Sequence, residues 1–353
     1  MAGNVLQPAD VMHSMRAKVP LGRIWLLPFV AFCIDTASAQ SATTAAVGAI
    51  RLNLAAGTST APAVTAFALP FEGTGTGSKV GRIRSVASDS LAITGANWRA
   101  GQLADPASPY ALRFLSGGAA GRVALIIGNT TDSVRFRAAD LAGLAMAAGT
   151  AGDLVEVFPT ETLGSLFGSG TFTGGPDPSV ADIVYVGAHT QDGYYYNTTR
   201  NQWRRAGGRA AAGGGTAAIL PHAVLQVAHI GPAKTITLVG RVPATPFHVL
   251  VASGGNTYTH SGFPTEVTLA GFGLERRLAD WVSSATAQLA DQVSFPTATG
   301  WVTAYHNGIN WVDTARGTVQ DNTVIGGETP LLIGRTGAAV GFTAVVRAVP
   351  YSL

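Results

Sequence analysis

Phe158-Pro159-Thr160-Glu161, followed by Leu163-Gly164, returns later in the chain as Phe263-Pro264-Thr265-Glu266, followed by Leu269-Ala270-Gly271. Working outward from these words, residues 158–243 and 263–350 overlay almost end to end. Ala181-Asp182-Ile183-Val184 answers to Ala290-Asp291-Gln292-Val293. A tyrosine and a tryptophan flank a polar turn in each copy, Tyr196 with Trp203 and Tyr305 with Trp311. The copies close on Leu238-Val239-Gly240-Arg241-Val242-Pro243 and Val345-Val346-Arg347-Ala348-Val349-Pro350. Length differences fall in Gly/Ser/Thr-rich stretches, where doubling a loop costs only about 0.6 kcal/mol. The chain reads as one module used twice.

The periodic segments are short, rich in Val, Ile, Leu, Phe and Tyr, and bounded by Gly, Pro, Asn or Asp, as strands are. Alternation marks 49–54, 80–86, 89–94, 122–127, 133–136 and 154–158. Within the copies, 183–187, 193–197, 223–228 and 235–239 answer to 293–295, 302–306, 330–334 and 341–346, and 247–252 leads into the second. Two stretches have helical features: 138–148, and 274–285 with Leu274, Leu278 and Trp281 at helical spacing. The expected class is all-β, with two tandem related β units (sandwich- or barrel-like), a small inserted β-barrel-like domain and a few helical turns. Residues 40–72 plus 158–243 make the first unit, 73–157 the insert and 244–353 the second unit. The competing arrangement is a sequential amino-terminal domain. Insertion is favoured because exposed loops accept extra chain with few contacts broken.

Residues 1–39 read as a signal peptide. Arg16, Lys18 and Arg23 precede the apolar run 24–34, and Ala37-Ser38-Ala39 offers the small residues of a cleavage site before Gln40. The apolar run is shorter than the ~20 residues that span a bilayer. Export to the periplasm, outer cell surface or medium is therefore expected. Cys33, the single cysteine, lies in that segment, so the exported chain has no disulfide chemistry.

Only 12% of residues are charged, against a usual ~25%. The arginines are scattered, whereas a nucleic-acid partner needs a concentrated basic face. Disorder is excluded by an apolar content of 47%. After signal removal an integral membrane protein is not expected either, because the strands are too short and too few for a lipid-facing barrel.

Catalytic signatures are absent from the sequence. No Gly-x-Ser-x-Gly elbow occurs, and Lys79, at the end of the Gly-rich run 73–79, precedes a strand instead of the helix a phosphate loop requires. His189, His222, His229, His248, His260 and His306 are dispersed, and no metal or cofactor is expected. Alternation sends His222 and His229 to opposite faces of the strand they flank. Asp177 with Asp182, or Asp192 beside Gly193, offers at most a weak calcium site. Glu161 and Glu266, in equivalent places, suit either capping of a helical turn or a distant hydrolytic pair. The best binding candidates are aromatic: Tyr194, Tyr196 and Trp203 in the first copy, Trp301, Tyr305 and Trp311 in the second. Exposed rings there would stack on sugars or enter an interface. Buried rings would anchor each hairpin by cross-strand pairing.

Ala49-Ile50-Arg51-Leu52-Asn53-Leu54-Ala55-Ala56-Gly57-Thr58 resembles the opening of a large, functionally uncharacterised family of exported β-rich proteins expanded in verrucomicrobial genomes. Ile93-Thr94-Gly95-Ala96-Asn97-Trp98, Arg113-Phe114-Leu115-Ser116-Gly117 and Ala120-Gly121-Arg122 are similar to its middle portion. Thr162-Leu163-Gly164-Ser165-Leu166-Phe167, Tyr194-Tyr195-Tyr196 and Gln202-Trp203-Arg204 match its later words. The second copy departs, with Trp311-Val312-Asp313 in place of Trp-Arg and the tyrosine cluster thinned to Tyr305. The resemblance spans nearly the whole mature chain and implies an exported β-rich protein, with no activity attached. The expected function is a non-enzymatic structural or surface protein that self-associates through β edges or binds other cell-surface proteins. A polysaccharide-binding protein and a secreted hydrolase are the alternatives.

Overall fold

The computed structural model describes residues 46–73, 77–137, 150–187, 193–207, 213–297, 300–337 and 341–352. The segment 1–39 read as a signal peptide, the stretch 138–148 expected to be helical, His189 and Asp192 lie outside the described residues. The fold is all-β, mostly strand with little helix.

In the first part, Val47–Leu54 and Lys234–Arg241 form an antiparallel ribbon, from Val47 opposite Arg241 to Leu54 opposite Lys234. Alternation decides its faces: Ile236 and Leu238 are buried while Thr235, Thr237 and Val239 face water. Beside it lies a five-stranded sheet in the order Gln202–Arg205, Gly193–Asn197, Ile183–Val186, Val224–His229, Ala63–Ala68. Their shared core holds Leu52, Leu54, Phe67, Leu163, Phe167, Val184, Trp203 and Leu225.

The second part has the same plan. Phe247–Ala252 pairs with Phe342–Arg347 as a ribbon. Its five-stranded sheet runs Gly255–His260, Pro330–Arg335, Gln292–Thr297, Gly300–His306, Trp311–Asp313, which is the first sheet's order read from the opposite end. Phe247, Phe263, Phe272, Phe295, Trp311 and Ile333 fill its core.

Each part carries one matching helical turn, Leu163–Leu166 and Leu269–Phe272. Thr162 and Thr268 cap them, their side chains accepting from Ser165 N and Gly271 N. Capping thus belongs to these threonines and not to Glu161 and Glu266; Glu161 instead accepts from Ser165 Oγ at 2.6 Å. A second correction concerns 274–285. Only Leu274–Arg277 is helical, and Leu278 turns extended. The break lets Val282 N–H reach the Asp291 carboxylate at 2.8 Å, a bond that a continuing helix would forbid.

Between Ala63–Ala68 and the turn at Thr162 stands a seven-stranded curled sheet, ordered Val123–Leu125, Tyr110–Phe114, Leu154–Pro159, Lys79–Val86, Ser90–Thr94, Ser133–Arg135, Gly128–Asn129. A register shift between Ile83 and Ser85 bends it. Ile83, Leu112, Phe114, Val134, Phe136 and Val155 pack inside the curl as a separate core.

The first and second parts touch reciprocally. Ala68 N–H donates to Glu328 O at 2.8 Å, and the His260 and His222 rings stand 5.3 Å apart. Ala68 pairs with Val224 and His260 with Pro330 in their respective sheets. His222 and Glu328 each lie two positions ahead of those partners, so the two contacts are counterparts.

Candidate functional site

The six aromatic candidates do not form one exposed platform. Trp203 is 4% and Trp311 1% exposed. The sheet register sets Trp203 opposite Tyr196 and Trp311 opposite His306, and both tryptophans turn inward. Trp203 meets Tyr196 and Phe172 edge-on, at 5.8 and 6.1 Å, and donates Nε1–H to Phe167 O. Trp311 meets Trp281 at 5.4 Å and His306 at 5.5 Å. Tyr194 and Tyr196 are half-buried against the first core, and Tyr195 is buried on the other face. Tyr305 is half-buried and donates to Ala285 O. Trp301 alone of the six is largely open, at 49%. Ring burial explains the change from platform to anchor: closing a tryptophan into a core outweighs displaying it.

What alternation could not reveal is a pair of equivalent buried carboxylates. Asp182, 1% exposed, accepts from Thr173 N and Ile230 N at 2.8 Å each, and its Oδ2 lies 2.9 Å from His229 Nδ1. Asp291, 0% exposed, accepts from Val282 N and Thr336 N at 2.8 Å each, and from Arg335 Nε at 2.8 Å. His229 and Arg335 end corresponding strands, so one module closes its clamp with imidazole and the other with guanidinium. The pair at Asp182 looks like half of a hydrolytic triad, but His229 Nε2 is already 2.8 Å from Pro232 O. Both ring nitrogens are thus engaged within the fold, and neither is turned toward a nucleophile. Asp177 is occupied separately, accepting from the N–H and hydroxyl of Ser179, and these bonds hold its carboxyl below the usual range.

A second buried network joins the seven-stranded sheet to the first module. Glu72 takes Arg113 on one carboxylate oxygen and Arg241 on the other, the latter at 2.9 Å. Arg113 also lies over the Phe158 ring at 4.7 Å. Among the described residues no three His, Asp or Glu side chains gather as metal donors would, and none of their helices is long and apolar enough to cross a membrane.

The dispersed histidines do meet, in a way their spacing hid. His222, His260 and Phe247 pack ring to ring, with centroids 4.9 to 5.3 Å apart. His222 is held in the left-handed region at φ 69°, unusual for a residue other than glycine. Burial, then Arg347, pushes His260 down to about 3 against the opposing backbone contact with Gly327. Burial, then His260 and Arg113, holds His222 well below its usual 6.5. The unfolded chain protonates these rings near pH 6.5, whereas folded His260 resists until about pH 3. Stability is therefore full above that window and falls as pH drops through it, by about 1.4 kcal/mol per pH unit for each ring. Urea unfolding at stepped pH will show this slope, and His260→Leu will flatten it by one proton's share. An unchanged slope in that variant would remove His260 from the account.

Comparison with protein-family models, curated proteins and solved structures returns no match for this chain.

Proposed function

We propose that this chain is an exported, non-enzymatic structural or cell-surface protein in which one β unit is duplicated and a third sheet is inserted into the first copy. The observation that carries the reading is how its buried carboxylates are employed. Glu72, Asp182, Asp291 and Asp313 are each at most 5% exposed. Two arginines occupy Glu72, backbone N–H groups with His229 or Arg335 occupy the two clamps, and Ala315 N and Arg316 N occupy Asp313. A catalytic acid or base needs a proton or lone pair facing substrate, and these groups are spent on the fold. Matching sheet orders, matching threonine caps and the two clamps support duplication. The basic–apolar–small order of residues 1–39 and the verrucomicrobial resemblance support export.

Self-association belongs to this reading, but not through every edge. Trp311–Asp313 is covered: Asp313 N–H donates to Thr318 O, Gln320 N–H to Trp311 O and Trp311 N–H to Asp321. Another chain cannot pair there. Of the groups the polysaccharide and hydrolase alternatives draw on, Trp203 and Trp311 are buried in the cores, whereas Trp301 and Glu266 are exposed but far from forming a shared platform or pair in the sheet order. Expression of the full chain in a Gram-negative host should yield a polypeptide beginning at Gln40 outside the cytoplasm. Purified at rising concentration, it should assemble as seen by sedimentation and electron microscopy. An intact amino terminus in the cytoplasm would defeat the export reading, and monomers at every concentration the assembly reading.

A further inference from the structure

The ribbon of Val47–Leu54 and Lys234–Arg241 leaves a long strand edge open. Bonded and non-bonded pairs alternate along an antiparallel ladder. Val242 N–H donates to Ala46 O at 2.8 Å, so Gly48, Ile50, Leu52 and Leu54 turn their N–H and C=O groups toward Lys234–Arg241. Those of Val47, Ala49, Arg51 and Asn53 point the other way. Arg241, opposite Val47, has the same phase, exchanging bonds of 2.9 and 3.0 Å with Glu72 on its far side. Val47, Ala49, Arg51 and Asn53 are all exposed, and their backbone groups bond to no other backbone among the described residues.

The matching ribbon of the second part is stopped on both sides. Arg277 donates to Val346 O at 2.8 Å, and Ala252 N–H goes to Thr257 Oγ1 at 3.1 Å. Gly121 closes on Pro246 so tightly that a Cβ would lie 2.1 Å from its carbonyl oxygen. Val47–Leu54 carries none of the usual edge protection. It has no proline, no shift in its register and a single charge, Arg51.

We propose that a second copy of this chain pairs at this edge, its own Val47–Leu54 running antiparallel to the first about a two-fold axis at Ile50. Half-step registers fail, because they set outward groups against inward ones. An axis at Arg51 places two guanidinium groups opposite each other, which is destabilising, and an axis at Ala49 carries Asn53 past the start of the partner strand. The axis at Ile50 joins Ala49 to Arg51 and Val47 to Asn53 of the second copy, so all four open residues are used. On the inner face it sets Ile50 against its equivalent and Gly48 against Leu52. That extends the first core, where Ile50 and Leu52 already pack. The contact is isologous and closes as a dimer. It rests on the assembly reading and names the edge that assembly uses.

Sedimentation of the chain at rising concentration, with variants, tests this. Ala49→Pro removes an outward N–H and spares the ladder to Lys234–Arg241. It should weaken self-association at least about tenfold, the worth of two symmetric hydrogen bonds. Thr237→Pro, on the opposite edge of the same ribbon, should leave association unchanged. Ile50→Cys in a Cys33→Ser background, which removes the single native cysteine, should oxidise to a covalent dimer. Non-bonded antiparallel partners lie about 4.5 Å apart at Cα, within disulfide reach. Arg51→Cys, offset from its equivalent, should cross-link poorly, and this comparison decides the matter if a proline variant fails to fold. A parent that assembles while Ile50→Cys forms no covalent dimer, or while folded Ala49→Pro associates undiminished, would overturn this edge and leave assembly standing. A parent monomeric at every concentration would overturn both.

Discussion

Replacing Asp291 by alanine should lower the unfolding free energy by about 3–5 kcal/mol, the cost of stranding a buried partner charge. Arg335 would keep Asp280, at 2.9 Å, but lose its fully buried counter-ion. Val282 N–H and Thr336 N–H would lose their acceptor as well. Two distant loops are tied by that carboxylate, so its removal frees both from the strand between them. The cycle with Arg335→Met separates charge from backbone effects. If the stranded guanidinium dominates, the double variant will be more stable than Asp291→Ala alone. Urea titration of the three proteins measures this, and a single-variant loss below about 1 kcal/mol would contradict the clamp.

Trp311→Ala should cost about 3–5 kcal/mol, as truncating a buried large aromatic does. Trp301→Ala, on the neighbouring strand, should change stability by no more than about 0.5 kcal/mol. The contrast follows from position: Trp311 is 1% exposed between Trp281 and His306, while Trp301 is 49% exposed. Thermal or urea unfolding of the two variants distinguishes the anchor from the surface ring. Similar losses for both would mean that the hairpin packs otherwise than described.

Much of the fold was legible. Gly193–Asn197 and Phe247–Ala252 were read with their observed bounds, and in Lys234–Arg241 the alternation records which side meets water. Tyr110–Phe114 escaped notice because it is buried along nearly its whole length, and a strand covered on both faces shows no period of two. Ala63–Ala68 and Gly255–His260 were missed as well; small and polar residues dominate them, and hydrogen-bonded neighbours hold them in place. Leu274, Leu278 and Trp281 kept helical spacing for a different reason. All three pack on the second core, but from a single turn followed by extended chain.

The candidate sites were less legible, and unevenly so. Asp182 and Asp291 stood in the repeated words, yet nothing local announced that each would be buried and bonded to a basic side chain from a distant strand. His222 and His260 carried no shared spacing, since they come from the first and second parts of the chain and meet only where those parts pack.

Order along the chain thus settled the strand class, the paired words and the expectation of export, because each is written in neighbouring residues and their polarity. Which rings face inward and which acids find a buried partner depended on three sheets coming together. Those properties are set by solvent exclusion and long-range hydrogen bonding, and no short window of residues contains both partners.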